Sequence, residues 1–267
     1  MRKIISSGIV AVFAALLGCD SASPLLPENE LIVVRAYLYA GESVTDVQLT
    51  STFALTSDDT TGRPINDAKA SLEKAGKVYQ LTASRGDSGY YHYADNDLLV
   101  RVGDRFKISV EHNGQIATGE TIIPSPPRNL TISSSEFPID TSTPFDTSSL
   151  TITWEGEDTF YFVVVENLET SLTPINQTPF PGVPIQFRSF RSRPTRESYY
   201  RIQRFDLTYY GEHRAKVYKV NREYANLYAF GLQDSRHLNE PATNIKNGLG
   251  VFAGFSSQEV KFRVVKQ

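Results

Sequence analysis

Phe106-Lys107-Ile108-Ser109-Val110-Glu111-His112-Asn113-Gly114-Gln115-Ile116 is the stretch that decides the fold class. Phe106, Ile108 and Val110 alternate with polar residues, the two-residue period of a half-buried strand. Asn113-Gly114 follows, and both positions of a two-residue hairpin turn need a positive φ that Asn and Gly tolerate. Residues 116–123 then read as the returning strand.

Outward from this hairpin the same grammar repeats. Residues 31–38 alternate through Ile32, Val34, Ala36 and Leu38, and 44–49 form a second short run. Residues 65–72 alternate through Ala68, Ala70 and Leu72, and Lys74-Ala75-Gly76-Lys77 turns them into 78–81. Short strands separated by frequent turns predict a sandwich or barrel. Pro124, Pro126 and Pro127 interrupt the pattern and mark a domain boundary, followed by a Ser/Thr-rich stretch to Ser149. Leu150, Ile152 and Trp154 then alternate, while residues 160–165 are apolar throughout, as in a strand buried on both faces. Residues 167–205 are long for a connection and read as loops or an extra hairpin decorating the second domain. One helix is predicted over about 222–234, with Asn221 as N-cap and Tyr224, Leu227, Tyr228 and Gly231 on one face. Val260, Phe262 and Val264 alternate at the end. The expected architecture is all-β, two immunoglobulin/fibronectin-like sandwiches over 31–125 and 126–267, the second with that helix and a long loop insertion.

The start of the chain has a different character. Arg2 and Lys3 precede a short apolar run, residues 4–17, which ends in Leu16-Leu17-Gly18-Cys19. A charged start, a brief apolar core and a small-residue cut site read as a secretory signal over 1–18, too short for a membrane span. The single cysteine of the chain, Cys19, then becomes the lipid attachment point of a bacterial lipoprotein, and 19–30, with Pro24 and Pro27, becomes a tether. Several acyl chains on one residue give stable membrane attachment. With that thiol acylated, disulfides and cysteine-ligated metals drop out. Of 27 basic residues two leave with the signal, against 30 acidic residues, so the mature chain is acidic and no general nucleic-acid binder is expected. Fourteen Tyr and fifteen Phe against one Met and one Trp favour strands.

Three motifs look chemical and do not survive inspection. Gly86-Asp87-Ser88-Gly89 echoes a serine-protease nucleophile segment, but Tyr90 departs from that pattern and none of His92, His112, His213 and His237 has the surroundings such a base needs. Asp95-Asn96-Asp97 lacks the downstream glutamate of a calcium loop and reads as a solvated turn. Gly248-Leu249-Gly250-Val251-Phe252-Ala253-Gly254 follows Pro241 and precedes a strand, the wrong context for a dinucleotide loop; its glycines fit close backbone packing or a bulge. No catalytic residue, metal site or cofactor is expected.

Two clusters carry binding hypotheses. Arg188, Arg191, Arg193, Arg196, Arg201 and Arg204 face a single acid, Glu197, with Phe190, Tyr199 and Tyr200 interleaved. Arg and Tyr are enriched at binding hot spots, and the guanidinium fork grips carboxylate or phosphate, so the stretch is a candidate partner- or anion-binding site. Loop arginines paired with surface acids are the competing reading. Tyr90, Tyr91 and Tyr93 are candidate glycan-stacking rings, set against the core packing that strand alternation imposes.

A further layer comes from residues 31–38, Val47-Gln48-Leu49-Thr50, Pro64-Ile65-Asn66-Asp67-Ala68, Gly103-Asp104-Arg105-Phe106-Lys107-Ile108, Gly119-Glu120-Thr121-Ile122-Ile123-Pro124 and Asn244 through Phe252. In order and spacing this series resembles a lipoprotein family of Bacteroidota catalogued as a domain of unknown function. The resemblance spans nearly the whole mature chain. It implies an outer-membrane lipoprotein, often encoded beside a TonB-dependent receptor, and brings no catalytic residues. Asp20-Ser21-Ala22-Ser23 leaves open which side of that membrane it faces. The expected function is non-enzymatic: an accessory or ligand-capturing partner of a TonB-dependent receptor, with a surface glycan-binding module or adhesin as the alternative. An envelope hydrolase has no support beyond an adequate number of acids.

Overall fold

The computed structural model describes residues 30–52, 62–142, 147–175, 187–228 and 243–267. The signal segment, Cys19 and nearly all of the tether lie outside them, as do residues 229–234 of the predicted helix. From the first half of the chain come β1 (Ile32–Tyr39), β2 (Asp46–Ser51), β3 (Lys69–Lys74), β4 (Lys77–Gln80), β5 (Thr82–Ala83), β6 (Tyr90–His92), β7 (Arg105–His112) and β8 (Gln115–Ile122). The second half adds β9 (Arg128–Ile132), β10 (Glu136–Ile139), β11 (Ser149–Glu155), β12 (Phe160–Asn167), β13 (Ser189–Arg191), β14 (Tyr199–Gln203) and β15 (Gly211–Val220). It ends with the helix α1 (Arg222–Asn226), β16 (Ile245–Lys246) and β17 (Leu249–Lys266). The chain is all-β, as the strand periodicities predict.

One nine-stranded sheet organises the molecule, in the order β13-β12-β15-β17-β1-β2-β6-β5 with β10 added beside the far end of β17. Two smaller sheets pack on one of its faces. The five-stranded sheet β16-β8-β7-β3-β4 closes a core with Val34, Ala36, Leu38, Leu72, Phe106, Ile108 and Phe252. The three-stranded sheet β14-β11-β9 closes a second core with Ile152, Trp154, Tyr161, Val163, Ile202, Val217 and Phe262. The hairpin at Asn113-Gly114 joins β7 to β8, with φ of 49° and 75° at the two turn residues. Alternation along β12 explains the sidedness: Tyr161, Val163 and Val165 enter the second core, whereas Phe162 points to the opposite face.

The proline boundary separates the two cores but not the sheets. β17 pairs in parallel with β1 from Val33↔Leu249 to Tyr39↔Phe255, then runs on antiparallel to β15 as far as Gly211↔Val264. Eighteen residues of strand span roughly 60 Å at about 3.3 Å each, so one strand serves both sandwiches. Ile245 and Phe252, placed by sequence in the second domain, belong to the first core. Gly250 makes the β1 crossing possible: its φ is +108°, and a Cβ there would stand 2.0 Å from the Val34 carbonyl oxygen. At the junction the buried Lys219 donates to Glu157 Oε2 (2.5 Å) and Ser125 Oγ (3.0 Å), fastening the proline segment to the second sandwich.

The outer face of the large sheet carries a third apolar cluster. Phe255 lies at its centre, stacked on Tyr39 at 4.9 Å and edge-on to Tyr37 and Tyr224 at 5.4 and 4.8 Å. Helix α1 covers it with Tyr224, and its N-cap is Asn221, whose side chain accepts from the Tyr224 N–H. Burial holds the Tyr37 phenol up at about 12, and both burial and the Asp46 carboxylate raise that of Tyr39. Among the described residues no helix is long and apolar enough to cross a membrane.

Candidate functional site

The arginine-rich stretch is contiguous in sequence and divided in space. β13 is the edge of the large sheet beside β12, and β14 is the edge of the three-stranded sheet beside β11, so residues 188–204 form one whole side of the second sandwich. Its arginines have different fates. Arg188 donates from Nε to the Asn167 carbonyl and from Nη2 to that of Glu169, both at 3.0 Å. Arg191 donates to the phenol oxygens of Tyr224 and Tyr228 at 2.8 and 2.6 Å and stands over the Phe162 and Tyr228 rings, so it clamps α1 to the sheet. Arg196 pairs with Asp158 at 2.9 Å above Phe160. These three act as structural fastenings, already engaged by carbonyls, phenols and a carboxylate.

The remainder faces outward or caps the core end. Arg193 is exposed on the crossing loop. Arg201 stands 5.6 Å over the ring of Tyr199, which is 43% exposed, while Tyr200, one residue on, packs against the second core. Arg204 is 8% exposed, and its Nε has no hydrogen-bond partner. It shares the inward side with Ile202, and its guanidinium lies 5.6 Å from the Phe205 ring. Among the described residues no carboxylate pairs with Arg193, Arg201 or Arg204.

Phe205 and Phe187 are the most exposed large apolar side chains described, at 68% and 66%. Both lie at the same end of the second sandwich. Phe187 precedes Arg188, whose carbonyl accepts from Asn167 N–H, and Asn167 is opposite His213 near the start of β15. Phe205 lies in a single 3-10 turn, Arg204–Asp206, that leads into β15 through backbone pairing of residues 173–175 with 208–210. This end is opposite the one where Leu31 enters β1. Sequence patterning missed it, since isolated phenylalanines in loops carry no periodic signal.

The tyrosine trio does not form a platform. Tyr91 is 1% exposed in the first core, where its phenol oxygen accepts from the Ala68 N–H. Tyr90 lies on the opposite face under Arg35, and Tyr93 packs partly against the core with its hydroxyl on Asp97. A period of two sends alternate rings to opposite faces.

Polar contacts elsewhere close on themselves. In the Gly86–Gly89 turn, Ser88 offers its carbonyl to Gln48. Ser84 Oγ and His92 Nδ1 approach to 3.0 Å across the β5–β6 pair, a contact the sequence does not reveal, and among the described residues no carboxylate bonds the other ring nitrogen. Asp97 is held below the usual carboxylate range by Lys77 and Tyr93. His213, 3% exposed, lies between Gly211 O and Asn167 Nδ2, and burial pushes its pKa down, so the neutral ring donates from Nδ1 and accepts at Nε2. Among the described residues no three His, Cys, Asp or Glu side chains converge on a metal-sized space.

A family model described as a domain of unknown function (DUF4249) matches residues 20–261. No curated protein shows a match. A crystal structure of domains A168-A170 from titin aligns with 72% of this chain and 61% of its own, less than two thirds of its length, at 13% identity and a TM-score of 0.22.

Proposed function

The chain belongs to the DUF4249 family, and on that premise we propose that it is a lipid-anchored, non-enzymatic capture module serving a TonB-dependent receptor of the bacterial outer membrane. Cys19 carries the lipid, residues 20–30 are the tether, and the folded part stands on the membrane through Leu31. The observation that carries the reading is the separation of ends. Leu31 leads into the start of β1, while Phe187 and Phe205 project from the far end of the second sandwich, with β17 running between the two. Exposed aromatic rings beside arginines are the side chains that dominate protein interfaces. Anchoring contributes by confinement, since a tethered module meets a membrane partner at high effective concentration.

The test is purification from native membranes in mild detergent. Stoichiometric co-elution of a TonB-dependent receptor, weakened in a Phe187→Ser, Phe205→Ser double variant that keeps its unfolding midpoint, is the expected result. A monodisperse lipoprotein without a partner refutes the proposal. Cys19→Ser should release the protein to the soluble fraction, and retention of that variant in membranes would refute the anchor.

A further inference from the structure

The outer face of the three-stranded sheet carries hydroxyls, one ring and the guanidinium of Arg201, which no carboxylate among the described residues pairs. In register, Thr131, Thr153 and Tyr199 form one row across β9, β11 and β14, and Thr151 with Arg201 forms the next. Ser149 and Gln203 complete a third row. Neighbouring strands are about 4.8 Å apart and alternate residues of a strand nearly 7 Å, so the rows cover roughly 10 by 13 Å of sheet face. Thr131 Oγ1 and Thr153 Oγ1 share a hydrogen bond of 2.8 Å. That contact uses one proton and leaves the other hydroxyl hydrogen and the spare lone pairs toward solvent. Threonine is stiff at χ1, so little ordering entropy is lost when a ligand bonds to such a ladder.

We propose that this face binds an anionic polysaccharide, with Tyr199 stacking on a sugar ring, Arg201 gripping its acid group and the threonine ladder meeting its hydroxyls. A solvated sheet face asks only for polar side chains on the outward positions. It does not ask for a ring left 43% exposed with a guanidinium 5.6 Å above it and no carboxylate at hand among the described residues. Two charges close to this face are already matched. Arg196 holds Asp158, and at the end of the same face Glu155 accepts from Arg128 and Asn129, both at 3.0 Å, so it repels an incoming anion little. Tyr supplies an apolar ring face with a polar tip, the combination that suits a sugar, and the fork of arginine fits carboxylate or sulfate oxygens in pairs. The proposal stands independently of the receptor reading, since it concerns a different surface and a different partner.

Affinity electrophoresis of the full mature protein through gels containing polygalacturonate, dextran sulfate or neutral dextran tests it. Retardation by polygalacturonate or dextran sulfate but not by dextran is the expected result, and the stronger of the two identifies the acid group. Arg201→Gln and Tyr199→Ala should each weaken binding at least about tenfold, the weight of one charge-assisted contact. Tyr199→Phe, which keeps the ring, should retain most of it. Arg193→Gln, an exposed arginine off this face, should leave binding unchanged. Equal retardation by dextran, no retardation by either acidic polymer, or equal losses in Arg193→Gln and Arg201→Gln would overturn the proposal. Unfolding midpoints measured for every variant separate lost binding from lost fold.

Discussion

Lys219 and Glu157 form a pair whose two halves differ in burial, and the difference predicts an asymmetric cost. The lysine side chain is 7% exposed and the glutamate 35%, at 2.5 Å. Removing the carboxylate with Glu157→Ala strands an ammonium inside the junction with only Ser125 Oγ as partner. An unpaired buried charge costs about 3–5 kcal/mol, and the surviving serine contact brings the expectation here to about 2.5. Removing the cation with Lys219→Met instead leaves a carboxylate that water already reaches, while the methionine stem keeps the apolar packing. That change should cost under about 1 kcal/mol. With an m-value of about 3 kcal/mol/M, the urea midpoint moves down by about 0.8 M for Glu157→Ala and by less than about 0.3 M for Lys219→Met. The double variant should behave like Lys219→Met. The lysine's hydrogen bond holds the Glu157 carboxyl below its ordinary 4.5, so its contribution is complete above that value and fades as pH falls through the folded one. The gap between the parent and Glu157→Ala therefore closes in acid. A Lys219→Met cost equal to or above that of Glu157→Ala would refute this account of the junction.

Three further outcomes follow from the packing. Gly250→Ala places a Cβ 2.0 Å from Val34 O at a φ of +108°, so it should cost more than about 3 kcal/mol, read as loss of soluble yield and of urea midpoint. Phe255→Ala, at the centre of the outer aromatic cluster and 1% exposed, should cost about 3–5 kcal/mol in urea unfolding, with loss of near-ultraviolet circular dichroism. His213 has its pKa lowered by burial, so its contribution is full above the ordinary histidine value of 6.5 and is lost as pH falls through the folded one. The urea midpoint should fall between pH 7.5 and pH 5, and His213→Gln should flatten that part of the slope.

Local grammar was legible where one face of a strand is buried. The alternation of Ile32, Val34, Ala36 and Leu38, the Asn113-Gly114 turn and the Asn221 cap all have direct physical signatures, and the structure shows each of them. Long-range pairing was not legible, because no residue pattern states which strand lies beside which. The glycines at 248, 250 and 254 fit close packing or a bulge, and close packing is what Gly250 makes against Val34. Nothing in them announces that β17 continues through two sandwiches. The arginine run shows the reverse failure. Proximity in sequence suggested one site, but the chain crosses from one sheet to the other at 192–198, so Arg191 clamps a helix while Arg201 stands over Tyr199 on a different face. The tyrosine trio fails for the simplest reason, since adjacent strand residues never share a side.

The pairing of Val33 with Leu249 has a consequence for biosynthesis. The strand Ile32–Tyr39 gains β2 on one edge soon after it emerges, but its other edge must wait for residues 249–255, far along the polypeptide. Contacts so remote along the chain make folding slow, and a waiting strand with unsatisfied amides invites strangers. Such a protein should depend on escorts that shield the open edge of Ile32–Tyr39 during export, and a stop codon before Leu249 should yield an aggregate rather than a shortened but working N-terminal half.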